Sequence, residues 1–235
     1  MTTIFEEEDF DGFQDRDSGT LFSDLEFRHC SFTSCSVSRT REPQKRSTVR
    51  GVRFLDCKLA GCFLGPAVIE DVLVDGLQIS KRLISQGAVF KHVVLKGKID
   101  RLILGPVLPP LYAQKEYQQQ MKEQFEKVNA EYYRTADWAL DISEAEFSDF
   151  DVRGIPSRLV RRDPFTQAVV KREKAISGEW KKLDLSGTWW SVSLDMLAKS
   201  SWEDGILVAP KRHRQFNQAL KGLFILRKAG IVEPD

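Results

Sequence analysis

The chain reads as a mainly β protein: a solenoid with an inserted helix and a small C-terminal α/β module. Three observations predict this. Apolar residues recur every five positions across residues 50–84. A single helical stripe interrupts that count after residue 110. The period is lost beyond Gly154, where short strand-like and helix-like segments alternate.

The five-residue count is the strongest signal. Phe54, Leu59, Leu64, Ile69, Val74, Ile79 and Ile84 are all apolar. Two positions before them stand Val52, Cys57, Cys62, Ala67, Val72 and Leu77, and only Arg82 breaks the rule. A helix repeats every 3.6 residues and a strand every 2.0, so five fits neither as one continuous element. Within a pentad, however, the pair at i−2 and i has strand spacing and shares one face. A short extended side followed by a corner, repeated, winds the chain into coils with those pairs inside. No coil buries its own face alone, so neighbouring coils must stack. The expected core is Phe54, Cys57, Leu59, Cys62, Leu64, Ile69, Val74 and Ile79.

These apolar pairs resemble the pentapeptide-repeat family, with Cys57/Leu59, Cys62/Leu64 and Ala67/Ile69 nearest its small-then-Leu/Phe pattern. The resemblance implies a right-handed quadrilateral β-helix with four pentads per coil. The family favours Ala at i−2 and Asp or Asn at i−1. This chain instead has Cys, Val or Leu at most i−2 slots and Arg53, Lys58, Phe63 and Val68 at i−1, as a divergent member would. Members of the family mostly act through surfaces. Some protect DNA gyrase by imitating DNA, and others serve as modules in effectors or adaptors.

Taken in order, residues 1–19 are acidic, with Phe5, Phe10 and Phe13 spaced along them. Two readings stand: a mobile arm, or a cap over the open end of the solenoid. Pentads run over residues 20–110. Phe22, Phe27, Phe32 and Val37 make one coil, preceded at i−2 by Thr20, Leu25, Cys30 and Cys35. Residues 38–48, SRTREPQKRST, break the count and read as an exposed basic loop, a common place for binding. After Ile84 the count slips by one to Phe90 and Leu95, then by four to Ile99 and Leu104, and GPVLPP closes the block.

Residues 111–139 hold the helix. Tyr117, Met121, Phe125, Val128 and Tyr132 form its apolar stripe, and the double proline before it suits a helix start. The stripe either packs on the flank of the solenoid or pairs with a partner helix. Residues 140–155 hold further candidate pentads in Leu140/Ile142, Ala145/Phe147 and Phe150/Val152. Residues 156–235 form the α/β module. It comprises two strands joined at Asp163–Pro164, a helix-leaning TWWSVSLDMLAKS, a buried strand GILVAP and a helix with Phe216, Ala219, Leu220, Leu223 and Phe224 on one face.

Composition bounds the function. The chain has 235 residues, is 42% apolar and 29% charged, and has net charge +1. That suits a soluble globular protein, with no apolar run long enough to span a membrane. The N-terminus lacks the basic start and apolar core of a signal peptide, so a cytoplasmic location is expected. Charge is unevenly placed: residues 1–27 carry net −8, 28–109 +8, 110–152 −6 and 153–235 +7. Such blocks are either solvated faces or complementary surfaces that meet each other or a partner. The basic block at residues 28–109 argues against the acidic coat of a DNA mimic.

Few residues suggest chemistry. Cys30, Cys35, Cys57 and Cys62 could suggest zinc. All four occupy the i−2 slot, where a buried thiol serves as a small apolar residue, so no metal and no cofactor is expected. His29 and His92 fall on outward or corner slots. Lys211, Arg212, His213 and Arg214 lie where a strand hands over to a helix, a place for a phosphate or nucleic-acid contact or simply a solvated turn. Asp184, Asp195, Glu203 and Asp204 could supply carboxylates, and Trp180, Trp189, Trp190 and Trp202 are core or ligand-stacking residues. No nucleophile or phosphate-loop motif is present. The expected function is non-enzymatic binding of a protein partner, toxin neutralisation being one form of it. Nucleic-acid or phosphate binding through the basic module and an enzyme site in that module are the alternatives.

Overall fold

A computed structural model describes residues 1–107 and 113–233 of the chain. The double proline expected to open the helix, with Leu111, lies outside the described residues. The fold is mainly β, with parallel sheets and, among the described residues, four α-helices, and is compatible with a β-solenoid. No described helix is long and apolar enough to cross a membrane.

The chain makes successive passes through the same sheets. The first pass holds β1 (Thr3–Glu6), β2 (Asp9–Asp11), β3 (Gln14–Arg16) and β4 (Leu21–Ser23). The second holds β5 (Leu25–Arg28), β6 (Ser31–Thr33), β7 (Ser36–Arg39) and β8 (Thr48–Arg50). β9 (Arg53–Ala60), β10 (Phe63–Leu64) and β11 (Val68–Glu70) follow, then β12 (Leu73–Ile79), β13 (Leu83–Gln86) and β14 (Val89–Lys91). The long β15 (Val93–Gly105) leads to helix α1 (Lys115–Arg134). After it, β16 (Leu140–Asp141) and β17 (Ala145–Val152) pair in parallel with β15, and β18 (Val160–Arg161) pairs with β16.

The register explains the fives. Phe5, Phe27, Phe54, Val74 and Leu95 pair in one column, and Phe10, Phe32, Leu59 and Ile79 in the next. Phe22, Val49, Ile69 and Phe90 form a third, and Val37, Leu64, Ser85, Leu104 and Val152 a fourth. Inward apolar side chains therefore stack on their own kind from pass to pass. Phe5 lies 5.2 Å from Phe27, which lies 5.2 Å from Phe54, both nearly parallel. Cys57, Ala67, Val72 and Leu77 are buried at i−2, while Phe54, Leu59, Cys62, Leu64 and Val74 are partly buried against the same core.

The corners carry a signal that the apolar count leaves unused. The residue at i+2 adopts positive φ: Glu7, His29, Asp56, Gly76 and Gly97 follow the first column in this way. That region suits Gly, and Asp, Asn or His better than branched residues. At Gly76 a Cβ would also sit 2.4 Å from Asp56 Oδ1, so a side chain there would have to push the Asp56 carboxylate aside.

Several expectations are corrected. Ile84 does not point inward: it is 37% exposed, while Leu83 and Ser85 are buried. The slip falls one pentad earlier than the apolar count places it, between Ile79 and Leu83, and Arg82 marks it. From Ser85 the fives resume through Phe90 and Leu95. Ile99 pairs with Leu77, an i−2 position, after a bulge in β12/β15 pairing. Residues 3–16 are no loose arm but paired strands. Loop 38–48 is not wholly exposed, since Arg46 and Ser47 are buried. Arg46 lies 4.8 Å over the Phe125 ring and donates to Asn129 Oδ1 and to Gly87 C=O, pinning the loop beneath α1. Burial lowers its guanidinium to about 10. The helix is correspondingly rotated. Met121, Phe125 and Tyr133 are buried, whereas Tyr117 and Val128 are exposed.

The C-terminal module has its own core. β19 (Gln167–Lys171) pairs antiparallel with β20 (Asp204–Val208), and around them lie α2 (Arg172–Ser177), α3 (Trp190–Lys199) and α4 (Phe216–Lys228). Asp163–Pro164 does form a turn, with Phe165 N–H and Thr166 Oγ1 donating to the Asp163 carboxylate. The strands on either side, however, belong to different sheets. β18 continues the ladder and β19 begins the module.

Candidate functional site

A cleft of about 260 Å³ lies where the last passes of the ladder meet the module. Its ladder wall is built by β17 and the segment after it, with Ile103 of β15 and Arg82 of the slip. Its module wall is built by one face of α3 from Trp190 to Leu197, by Trp202 and by β20. Local sequence sets each wall. Asp184 Oδ1 accepts from both the N–H and Oγ of Ser186, and Thr188 Oγ1 donates to Leu185 C=O at 2.7 Å. That turn launches α3 with Trp190 inward and Trp189 toward the cleft. Trp190 is 1% exposed and its indole N–H donates to Ala219 C=O at 2.9 Å. α4 must pass closely there, because a Cβ on Gly222 would lie 2.7 Å from Trp190 Cδ1. Asp204 joins the walls by accepting from the Ser157 N–H and Oγ at 3.0 and 2.6 Å.

The four tryptophans thus divide. Trp180 and Trp190 are core residues with their indole N–H groups satisfied by main-chain carbonyls. Trp189 and Trp202 are partly exposed and line the cleft, with Met196 beside them at 39% exposure and Val192 nearby at 62%. The charges at the cleft are already matched: Arg82 to Asp149 at 2.8 Å, and Arg153 to Asp151.

The basic turn proposed from sequence borders this cleft through His213, and most of its groups are engaged. Lys211 pairs with Asp163 at 3.0 Å. Burial alone would raise the Asp163 carboxyl, but the Lys211 ammonium and the Phe165 and Thr166 donors hold it below its usual range. Arg212 pairs with Asp100 of β15 at 3.2 Å, and its main-chain N–H donates to Phe147 C=O at 2.9 Å. His213 packs edge-on to Trp189, centroids 5.0 Å apart. Its Nδ1 accepts from Gln215 N–H, which places the proton of the neutral ring on Nε2. Arg214 is exposed. The turn closes the last pass of the ladder against the module.

The other candidates disperse. Asp195 pairs with Lys199 at 2.5 Å, Asp184 caps its turn, and Asp204 is taken up by Ser157 and Lys171. Cys30, Cys35, Cys57 and Cys62 each donate to the C=O of the inward aromatic one pass earlier, at 3.3–3.5 Å. Burial pushes the Cys57 thiol up to about 11, away from the thiolate a metal needs. Among the described residues there is no cluster of three or more His, Cys, Asp or Glu placed to hold a metal. His29 is an exposed corner. His92 is a corner with partners the sequence did not reveal. Its Nδ1 lies 3.0 Å from Asp71 and its Nε2 2.7 Å from Asp137, and its ring lies 4.9 Å from Trp138.

Sequence reasoning missed Arg82, Asp149, Asp151 and Arg153. For Arg82 the signal was present, as the one break in fourteen pentad slots. Compared with protein-family models, with curated proteins and with solved structures, the chain matches none.

Proposed function

We propose that this chain is a non-catalytic binding protein that engages a protein partner at the cleft between ladder and module. The ladder is read as a divergent pentapeptide-repeat β-helix, right-handed and four-sided, serving as a rigid support. The observation that carries the reading is the cleft's chemistry: Trp189, Trp202 and Met196 on one wall, next to exposed Val192, with arginines already matched to aspartates. Aromatic residues, Met and Arg are the residue types enriched where proteins meet, and a recessed aromatic wall takes an anchoring side chain from a partner. Nucleic acid is the weaker reading. Lys211 and Arg212 are spent on internal acids, and an anion would have to displace Asp163 and Asp100.

Affinity capture from the native lysate tests this, using the tagged chain and its Met196→Glu variant, with and without nuclease. Met196 is partly exposed, so the substitution leaves the fold intact while placing a charge at the mouth of the cleft. The reading expects one stoichiometric protein that survives nuclease and falls at least tenfold with Met196→Glu. A partner captured equally by both forms would place binding elsewhere. Capture abolished by nuclease would move it to nucleic acid.

A further inference from the structure

The first pass of the ladder has an open outer edge. Among the described residues, β1 and β3 stand at the two ends of one sheet path, β4 ends the second sheet, and β2 pairs with β6 alone. Parallel pairing uses alternate residues in each direction. Thr3 N–H donates to Asp24 C=O and Glu7 N–H to Arg28 C=O, both at 2.9 Å, so residues 3, 5 and 7 bond inward. Ile4 and Glu6 therefore turn their N–H and C=O groups outward. Similarly, Gly12 N–H donates to Thr33 C=O and Glu8 C=O accepts from Ser31 N–H. Asp9 and Asp11 are then the outward residues of β2. Exposed apolar side chains accompany these free groups: Ile4 at 52%, Phe13 at 48% and Leu21 at 56%.

An open edge invites another strand, and natural proteins usually blunt it with lysine, proline or a bulge. This edge carries acids instead. Residues 1–27 hold nine acids and one base. Among the described residues, the ion pairs of that stretch are those of Glu26 with Arg28 and Arg53. Glu6, Glu7, Glu8, Asp9, Asp11 and Asp17 are exposed. A second copy placed edge to edge would set net −8 against net −8. A basic strand meets no such repulsion.

We propose that the outer edge of β1 and β2 docks an extended, lysine- or arginine-rich polypeptide segment, which adds a strand to the ladder. Main-chain hydrogen bonds to Ile4, Glu6, Asp9 and Asp11 hold it, and the surrounding carboxylates select its charge. This surface is separate from the cleft, and Met196→Glu leaves it unchanged.

The test is fluorescence anisotropy with the full chain and three labelled twelve-residue peptides. One alternates Lys with Val, one alternates Glu with Val, and the third repeats the basic sequence with alternate backbone nitrogens methylated. The basic peptide is expected to bind, at least tenfold more tightly than either of the others. Glu6→Lys combined with Asp11→Lys is expected to lower its affinity at least tenfold. The methylated peptide isolates strand pairing without altering the protein. If it binds as well as its parent, the attraction is electrostatic only and strand addition is wrong. Failure of the basic peptide to bind, or a dimer of the chain joined through this edge in sedimentation, would equally overturn the proposal.

Discussion

The two ends of the ladder are built from the same repeat and finished in different ways. At the N-terminal end, β1 to β4 leave their outer edges open, with acids and half-exposed Ile4, Phe13 and Leu21. At the other end, Phe147 C=O accepts from Arg212 N–H, Gln167 Nε2 donates to Ile142 C=O, and Ile206 and Val208 of the module join the ladder core. A repeat cannot satisfy its own last pass, so each end must be covered by something unlike the repeat. Among the described residues, such a cover is seen at the end that meets the module. Stability should therefore be concentrated at the covered end, and the open end should be the more weakly held of the two.

Paired phenylalanine truncations give the largest expected effect. Phe147 is 1% exposed and stacks on Phe150 at 3.9 Å, while Phe13 is 48% exposed. Phe147→Ala should cost about 3–5 kcal/mol, as full aromatic truncations in packed cores do. Phe13→Ala should cost about 1 kcal/mol or less. Urea unfolding of the two variants measures the gap. Similar losses in both would mean that the open end is as firmly packed as the covered one.

How far the sequence spoke follows the same divide. Apolar spacing revealed the columns because each pass repeats the demand for two inward side chains, as at Cys57/Leu59 and Val72/Val74. It misjudged Ile84 because a slip of one residue leaves an apolar residue in the expected slot, and only Arg82 betrayed it. The positive-φ corners, Asp56 and Gly76 among them, were readable in principle at i+2, since few residue types tolerate that conformation. The cleft was not readable. It is formed by Arg82, Asp149 and Trp189, which lie far apart in sequence, and no local period links a ladder wall to a module wall. Nor could spacing show that Lys211 and Arg212 face Asp163 and Asp100, because those contacts depend on how the module docks.

Polar residues in one inward column sharpen the comparison at intermediate scale. Near the open end, buried Asp15 accepts from Ser38 N–H at 2.8 Å and from Ser18 Oγ. Farther along, Ser85 is 1% exposed and its Oγ has no partner among the described residues. An orphaned buried hydroxyl costs free energy that a methyl group does not. Ser85→Ala should therefore stabilise the chain by about 1 kcal/mol. Asp15→Ala should destabilise it by about 1–3 kcal/mol, because the Ser38 N–H loses its acceptor in a buried site. Thermal melts at one pH read both signs. Loss of stability in Ser85→Ala would show that its hydroxyl is satisfied in solution.

The smallest effect lies at one column of corners, where Asp24, Gly51, Asp71 and His92 share positive φ. Asp24, near the open end, is exposed, whereas His92, near the covered end, is held between Asp71 and Asp137. Both ring nitrogens face carboxylate oxygens, and only the imidazolium can donate to both. Arg161 lies 4.0 Å over Trp138, the ring packed against His92, and pairs with Asp141. The bond to Asp137, more than that to Asp71, raises the His92 pKa, and the same bond lowers that of Asp137. A raised folded-state value means that the contribution is complete below the unfolded value of about 6.5 and is lost as pH rises through the folded one. His92→Asn keeps a residue suited to the left-handed corner and removes the charge. The melting temperature of the parent should exceed that of His92→Asn below about pH 6.5, by only a small margin, as for other exposed pairs. That margin should shrink toward pH 8. A margin that stays constant or grows with pH would mean that His92 acts as a neutral corner residue, and that the covered end gains nothing from its charge.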